Sequence, residues 1–228
     1  MGKWLLALAG LLLVGIVLLP MRAVVPYVAP DLTATAITGT VWDGRLMGAE
    51  FRGVPLGNLD VGLDGAELLR GRLRLDFARD GLRALSGRVG SSGKVHVVEA
   101  LDGPLSLELP FPFNPVLDVE FRNAGFQIDS AGTCLAASGD VSARVSNLPA
   151  LGTTPPLKGS FACDQGGFYL PLASRDDRLR IGVHVWADRR YRADLIIAGQ
   201  SLPVQLVLAA AGFTAGPDGS TMRIEGMF

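Results

Sequence analysis

The sequence predicts an all-β protein, in which a long, strongly curved antiparallel sheet lies behind one N-terminal transmembrane helix. Three observations lead to this prediction. Asp-Gly pairs recur along the chain at 43–44, 64–65, 80–81, 102–103 and 218–219. The segments between these turn signals alternate apolar and polar residues. The first 22 residues contain a long run without charge.

The alternation predicts antiparallel strands with one dry face and one solvated face. Leu117, Val119 and Phe121 alternate with charged residues, and Val141, Ala143 and Val145 alternate with polar ones. The same pattern occurs in the segments 72–79 and 105–109.

A hairpin is predicted between residues 179 and 197, with its turn at 187–190. Its inward residues are Leu179, Ile181, Val183 and Val185 on the first strand and Tyr191, Ala193, Leu195 and Ile197 on the second. The charges of this segment alternate with the apolar residues and do not cluster, which favours a solvated outer face over a binding patch.

The dry face of such a sheet needs a cover, and the sequence offers few helices to supply one. Apart from the N-terminal segment, only residues 64–71 indicate a helical turn. The sheet is therefore expected to fold over into an open sandwich or to curl into a trough. Residues 33–228 are predicted to form a single β domain, since the linker-like stretch 148–159 lies between the two cysteines.

The N-terminal segment predicts a membrane anchor. Lys3 precedes sixteen uncharged residues, Trp4 to Leu19, and Arg22 follows. With Met21 the run reaches the roughly 17 residues that can span a bilayer. Residues 1–22 are thus expected to be a cytoplasmic start and single transmembrane helix, and residues 23–32 a stalk. A cleaved signal peptide is the alternative, although no good cleavage site follows. The positive-inside rule places the C-terminal domain across the membrane, in the periplasm.

The chain has two cysteines, Cys134 and Cys163. In an oxidising compartment a disulfide between them is the simple expectation, and two buried free thiols are the alternative. Closing a loop of this length would contribute about 3–4 kcal/mol to stability.

Several function classes find little support in the sequence. A formal net charge of −1 supplies no field for nucleic acid. His96 and His184 lie in separate Val-flanked strand segments, without metal-ligand spacing and without a nucleophile or an orienting acid in sequence beside them. No metal site, cofactor or catalytic residue is therefore predicted.

The stretch GTVWDGRL at 39–46 is the most specific motif, and LGNLDVGLDGAELLRGRLRLDF follows at 56–77. Together they resemble the type II secretion system protein N (general secretory pathway protein N) family. The first motif is carried by Gly39, Thr40, Val41, Trp42 and Gly44. The second includes Leu56, Gly57, Leu68, Leu69 and Gly71. Val61 stands where the family pattern has a second Trp.

The resemblance implies a non-enzymatic accessory or assembly subunit in the inner membrane that binds other secretion-system subunits. It also implies a curved sheet similar to those of AsmA-like proteins. On the residues alone, Trp42 is expected to plug one end of the β core and to hydrogen-bond its indole N–H nearby. The alternative function is a periplasmic lipid-handling module with acyl chains in an apolar β trough.

Overall fold

The structure is a computed structural model that describes residues 14–29, 31–79, 81, 84–108, 116–146 and 154–227. The chain divides into two compact units, residues 1–92 and residues 93–228. Each unit is described by itself below. The single-domain assignment to residues 33–228 stays a prediction.

The first unit contains a small antiparallel sheet with short helices beside residues 14–17. These helices are α1 (Met21–Val28) and α2 (Gly65–Leu69). The strands are β1 (Leu32–Thr33), β2 (Ala36–Gly39), β3 (Gly44–Phe51), β4 (Val54–Leu63), β5 (Leu73–Arg79) and β6 (Leu85–Ser92). Their order is β1-β3-β4-β5-β6, and β2 pairs with β3. The α2 helix is the predicted helical turn, and the Asp64 carboxylate caps it by accepting from the Ala66 and Glu67 N–H groups.

The core of the first unit joins its N-terminal segment to the sheet. The buried residues of this cluster are Met21, Val25, Val41, Leu46, Ala49 and Leu59. Met21 and Val25 come from α1, whereas Leu46 and Leu59 face each other across β3 and β4. The predicted inward row on β5, Leu73, Leu75 and Phe77, is only half-buried.

The second unit is a larger antiparallel sheet. Its strands are β7 (Val95–Glu108), β8 (Val116–Asp129), β9 (Cys134–Ser146), β10 (Leu157–Ser160), β11 (Ala162–Asp164), β12 (Gly167–Ser174), β13 (Leu179–Val185), β14 (Arg190–Ile197), β15 (Thr214–Gly216) and β16 (Gly219–Met227). The order is β7-β8-β9-β10-β12-β13-β14-β16-β15, and β11 pairs with β12. One helix, α3 (Leu202–Ala210), connects β14 to β15.

A continuous apolar core follows one face of this second sheet. Its members on β8 and β9 include Leu117, Val119, Val141 and Ala143. The row continues across the neighbouring strands through Leu157, Leu172, Ile181, Leu195 and Met222, and Leu208 of α3 joins it. The predicted alternation of β8 and β9 is therefore confirmed.

The predicted hairpin is also confirmed, because β13 and β14 pair with Leu179 opposite Ile197 and Val185 opposite Tyr191. The all-β, antiparallel class predicted from the sequence is correct. Two helices contradict the expectation of only one helical turn beyond the N-terminal segment. These are α1 and α3. Each contains a proline, Pro26 or Pro203, and proline in a sequence usually indicates a loop.

Residues 14–17 are helical. Among the described residues, no helix combines the length and the apolar character needed to cross a membrane. The first part of the predicted anchor, residues 1–13, lies outside the described residues.

Candidate interaction surfaces

The first motif forms the connection between β2 and β3. Gly39 pairs with Gly44, and the Thr40 N–H donates to the Asp43 carbonyl at 3.0 Å. Gly39 has a φ of +82°, and a Cβ there would lie 2.2 Å from the Asp43 carbonyl oxygen. Both the left-handed backbone and the lack of space therefore require glycine.

The tip of this connection binds the N-terminal segment. The Trp42 indole N–H donates to the Ile16 carbonyl at 3.2 Å. The Val41 N–H donates to the Leu19 carbonyl at 3.0 Å, and its own carbonyl accepts from Leu63 of β4. Trp42 is half-buried against the core of the first unit. The motif thus links the end of the apolar segment to the sheet.

Three further glycines leave the space that this junction needs. A Cβ on Gly44 would lie 2.9 Å from the Met21 side chain, which is 3% exposed. A Cβ on Gly62 would lie 2.8 Å from the Trp42 carbonyl oxygen, and one on Gly65 would lie 3.3 Å from the Trp42 ring. The motif is a packing junction between residues 16–21 and the sheet.

The second motif divides between the core and the surface. Leu56 packs partly buried against the core, and its carbonyl accepts from Arg79. Gly57 and Gly71 have positive φ values of 82° and 75°. Leu68 and Leu69, in contrast, lie on α2 and are 40% and 92% exposed. These two leucines do not contribute to the core.

The disulfide predicted between Cys134 and Cys163 is present, with a Cα–Cα distance of 5.6 Å. It joins the beginning of β9 to β11. The expectation of a disulfide is confirmed, and the alternative of two free thiols is wrong.

The α3 helix presents an uncharged apolar face to solvent. Leu202 and Leu206 are 75% and 71% exposed, and Val207 is half-exposed. Only Leu208 of this helix is fully buried. Beside it in sequence is β15, whose three residues are all exposed and which ends the strand order of the second unit. Exposed apolar groups of this kind mark interaction surfaces.

The two histidines occupy different environments. His96 is exposed on β7. His184 is buried on β13, where its Nε2 lies 2.9 Å from an Asp164 carboxylate oxygen. Its ring stacks on Tyr169 at 4.1 Å and on Trp186 at 5.5 Å. The sequence did not predict the Asp164–His184 pair, because β11 reaches β13 only through β12. Among the described residues, no group of three His, Cys, Asp or Glu side chains is arranged to hold a metal ion.

The fold and these surfaces define an all-β chain in which the GTVWDGRL motif is a packing junction. Residues 30–222 match the family model described as type II secretion system (T2SS), protein N. The chain therefore belongs to this family, and it is a component of type II secretion. It matches no curated protein and no solved structure. Membership implies interaction with other secretion-system subunits.

Proposed function

We propose that the chain is a non-enzymatic accessory or assembly subunit of a type II secretion system. In this proposal it is anchored in the inner membrane by its N-terminal segment, and its β units bind other subunits in the periplasm. The observation that carries the proposal is the match of residues 30–222 to the type II secretion protein N family. The junction at residues 39–44 joins the end of the apolar segment to the sheet.

Membrane anchoring is supported by the apolar side chains that precede α1. Val14, Ile16, Val17 and Leu18 are each about half exposed or more. A continuous patch of this kind is unfavourable in water and is stabilised by a bilayer or a partner. Trp4 to Leu19 carries no charge, and Lys3 on its N-terminal side favours a cytoplasmic start. The Cys134–Cys163 disulfide supports an oxidising compartment for the second unit.

Partner binding is supported by the uncharged face of α3 and by the β15 edge. Leu202 and Leu206 offer apolar area, and an exposed edge strand can pair with an added strand. The two features are adjacent in sequence, at residues 202–216. Together they provide a surface for a protein partner.

Curvature of the second sheet is supported by one aromatic contact. The Phe126 ring on β8 meets the Phe168 ring on β12 edge-to-face, with 5.2 Å between centroids. These strands are three positions apart in the sheet, so their backbones would be about 14 Å apart if the sheet were flat. Two phenylalanine side chains that lean toward each other cover part of this distance, and a strongly curved sheet, as proposed from the sequence, supplies the rest.

The alternative, a lipid-handling trough, has less support. The apolar face of the second sheet is already packed, and Leu157, Leu172 and Leu195 are almost fully buried. An acyl chain would have to displace these contacts. Mass spectrometry of the detergent-free protein separates the two functions: reproducible co-purified lipid would favour the trough.

A secretion assay tests the proposed function. In a host lacking its own copy, the wild-type chain should restore release of a secreted enzyme into the medium. The double variant Leu202→Glu, Leu206→Glu should reach wild-type levels in the membrane fraction but reduce release at least tenfold. Leu135→Glu, on an exposed leucine of β9 that lies outside both family motifs, is the matched control and should restore release. If removing the chain leaves release unchanged, the proposed function is wrong.

A further inference from the structure

The face of the second sheet opposite its core contains a groove of about 660 Å³. Leu172, Ile181 and Leu195 point to the core, so their neighbours on β12, β13 and β14 point to the other side. The groove follows these outward positions and extends to Thr221 on β16 and Thr214 on β15.

Small residues create the depression. Pro171 on β12 is opposite Gly182 on β13, and Gly182 is opposite Asp194 on β14. The Tyr169 ring lies beside the bare glycine, because a Cβ on Gly182 would be 3.3 Å from the ring. Beside this depression Ala173 is opposite Arg180. The long Arg180 side chain therefore lies at the side of a shallow, largely apolar groove.

Arg180 differs from its neighbours. Its Nε is buried and has no hydrogen-bond partner among the described residues. Four surrounding arginines contact a carboxylate: Arg178 with Asp176, Arg190 with Asp188, Arg192 with Glu225, and Arg223 with Asp194. Within the described part of the chain, Arg180 forms no such ion pair. The charged residues that the described structure places along the groove are Arg180, Asp194 and Arg223, which leave one unmatched positive charge.

Because the Nε is covered, a ligand that enters the groove meets the other N–H groups of the guanidinium, and a carboxylate is the acceptor whose geometry fits them best. The groove is also open, so a side chain can enter from a segment that passes across it. One unmatched charge suits one carboxylate. An anionic bilayer surface fits less well, since recognition of anionic lipids takes a cluster of several basic residues and this groove has one unmatched positive charge.

We propose that this groove binds an acidic segment of a partner protein, with one aspartate or glutamate carboxylate on Arg180 and apolar neighbours against Pro171 and Ile196. The proposal rests on the proposed function in expecting a protein partner. The groove and the uncharged face of α3 would bind different ligands. The groove selects its ligand by charge complementarity, whereas the face of α3 offers only apolar contacts.

A peptide selection tests the site. The full-length chain, held in nanodiscs of neutral lipid, is used to select from displayed random decapeptides. The wild type should enrich peptides with Asp or Glu at one position next to apolar residues. Arg180→Glu should instead enrich Lys or Arg at that position. A synthetic peptide from the wild-type selection should bind Arg180→Gln at least tenfold more weakly.

Arg178→Gln is the matched control, because Arg178 already has Asp176 as its partner; it should bind the peptide as the wild type does. The absence of acidic enrichment, or equal affinity for Arg180→Gln and wild type, would overturn the proposal. So would Arg180-dependent binding to anionic vesicles without peptide binding. If the selection fails while removal of the chain still abolishes secretion, the groove proposal alone is wrong.

Discussion

At the scale of single residues, Gly39 and Gly53 share a backbone conformation and differ in their surroundings. Both have a φ of +82°, but a Cβ on Gly53 would meet no atom of the described residues within 4 Å, whereas one on Gly39 would meet the Asp43 carbonyl. Gly53→Ala should lower the free energy of unfolding by about 1–2 kcal/mol, the cost of the left-handed conformation. Gly39→Ala should lower it by about 3 kcal/mol or more, because a steric clash is added. Urea unfolding of both variants measures the difference, and equal losses would contradict the assigned role of Gly39.

Trp42 combines packing with one hydrogen bond, and two substitutions separate them. Trp42→Phe removes the indole N–H that donates to Ile16 and should lower the free energy of unfolding by about 1 kcal/mol. Trp42→Ala also removes the ring contacts with the core and should lower it by about 2–4 kcal/mol. Leu69→Ala is the control; this side chain is exposed, so its loss should change stability by less than about 0.5 kcal/mol. A stable Trp42→Ala protein would show that the motif does not hold the junction together.

At the scale of elements, the disulfide restrains β9 and β11. The cysteines are 29 positions apart, and opening a loop of this size should lower the free energy of unfolding by about 3–4 kcal/mol. The variant carrying Cys134→Ser and Cys163→Ser should show this loss in urea unfolding. Reductant should destabilise the wild type by a similar amount and leave the double variant unchanged. Equal stability with and without reductant in the wild type would contradict the expected contribution.

The β3–β4 ladder carries an exposed ion pair with a measurable pH signature. Arg45 donates to both carboxylate oxygens of Asp60, and this hydrogen bonding lowers the pKa of Asp60 below its usual range. Because the folded-state pKa is depressed, the pair stabilises the fold above the usual carboxyl range, and its contribution is lost as the pH falls through the folded-state pKa. NMR titration should find the pKa of Asp60 below its usual range in the wild type and closer to that range in Arg45→Gln. An unchanged pKa in the variant would exclude Arg45 as the cause.

The elements with strict alternation could be predicted from the sequence. The β13–β14 hairpin and the inward rows of β8 and β9 follow because a period of two assigns each residue to one face of a strand. The helical turn predicted at residues 64–71 is present as α2, and the structure shows that Asp64 caps it. The α1 and α3 helices could not be recognised in the same way. Their prolines usually mark loops, yet Pro203 occupies the first turn of α3, where its missing N–H is tolerated.

The candidate surfaces depend on the register in which the strands pair, and this register could not be predicted from the sequence. Arg180 has the same alternating context in sequence as Arg192, so both are expected on a solvated face. Strand pairing places Arg192 beside Glu225 but places Arg180 opposite Ala173 and Ile196. The exposure of Leu69 has a different cause, since the short α2 helix, which has no buried residue, carries it away from the core.

At the scale of the whole molecule, the junction limits how the predicted anchor can be tested. Removing residues 1–22 would also remove Met21, a core residue of the first unit, and the carbonyls that Trp42 and Val41 use. Loss of function would then have two explanations. Substitutions confined to residues 1–13 change the apolar segment and leave every junction residue in place.

Alkaline phosphatase and green fluorescent protein fused after Met227 report the side of the membrane on which the C-terminal end lies. The phosphatase fusion should be active and the fluorescent fusion dark, because the positive-inside rule places the β units in the periplasm. The protein should resist extraction with carbonate and retain Met1 by mass spectrometry.

The variant carrying Leu8→Arg and Leu12→Arg should lose phosphatase activity, since two charges in the apolar run oppose insertion. A chain released in shortened form would instead show a cleaved signal peptide, and an active phosphatase in the double variant would contradict the predicted anchor.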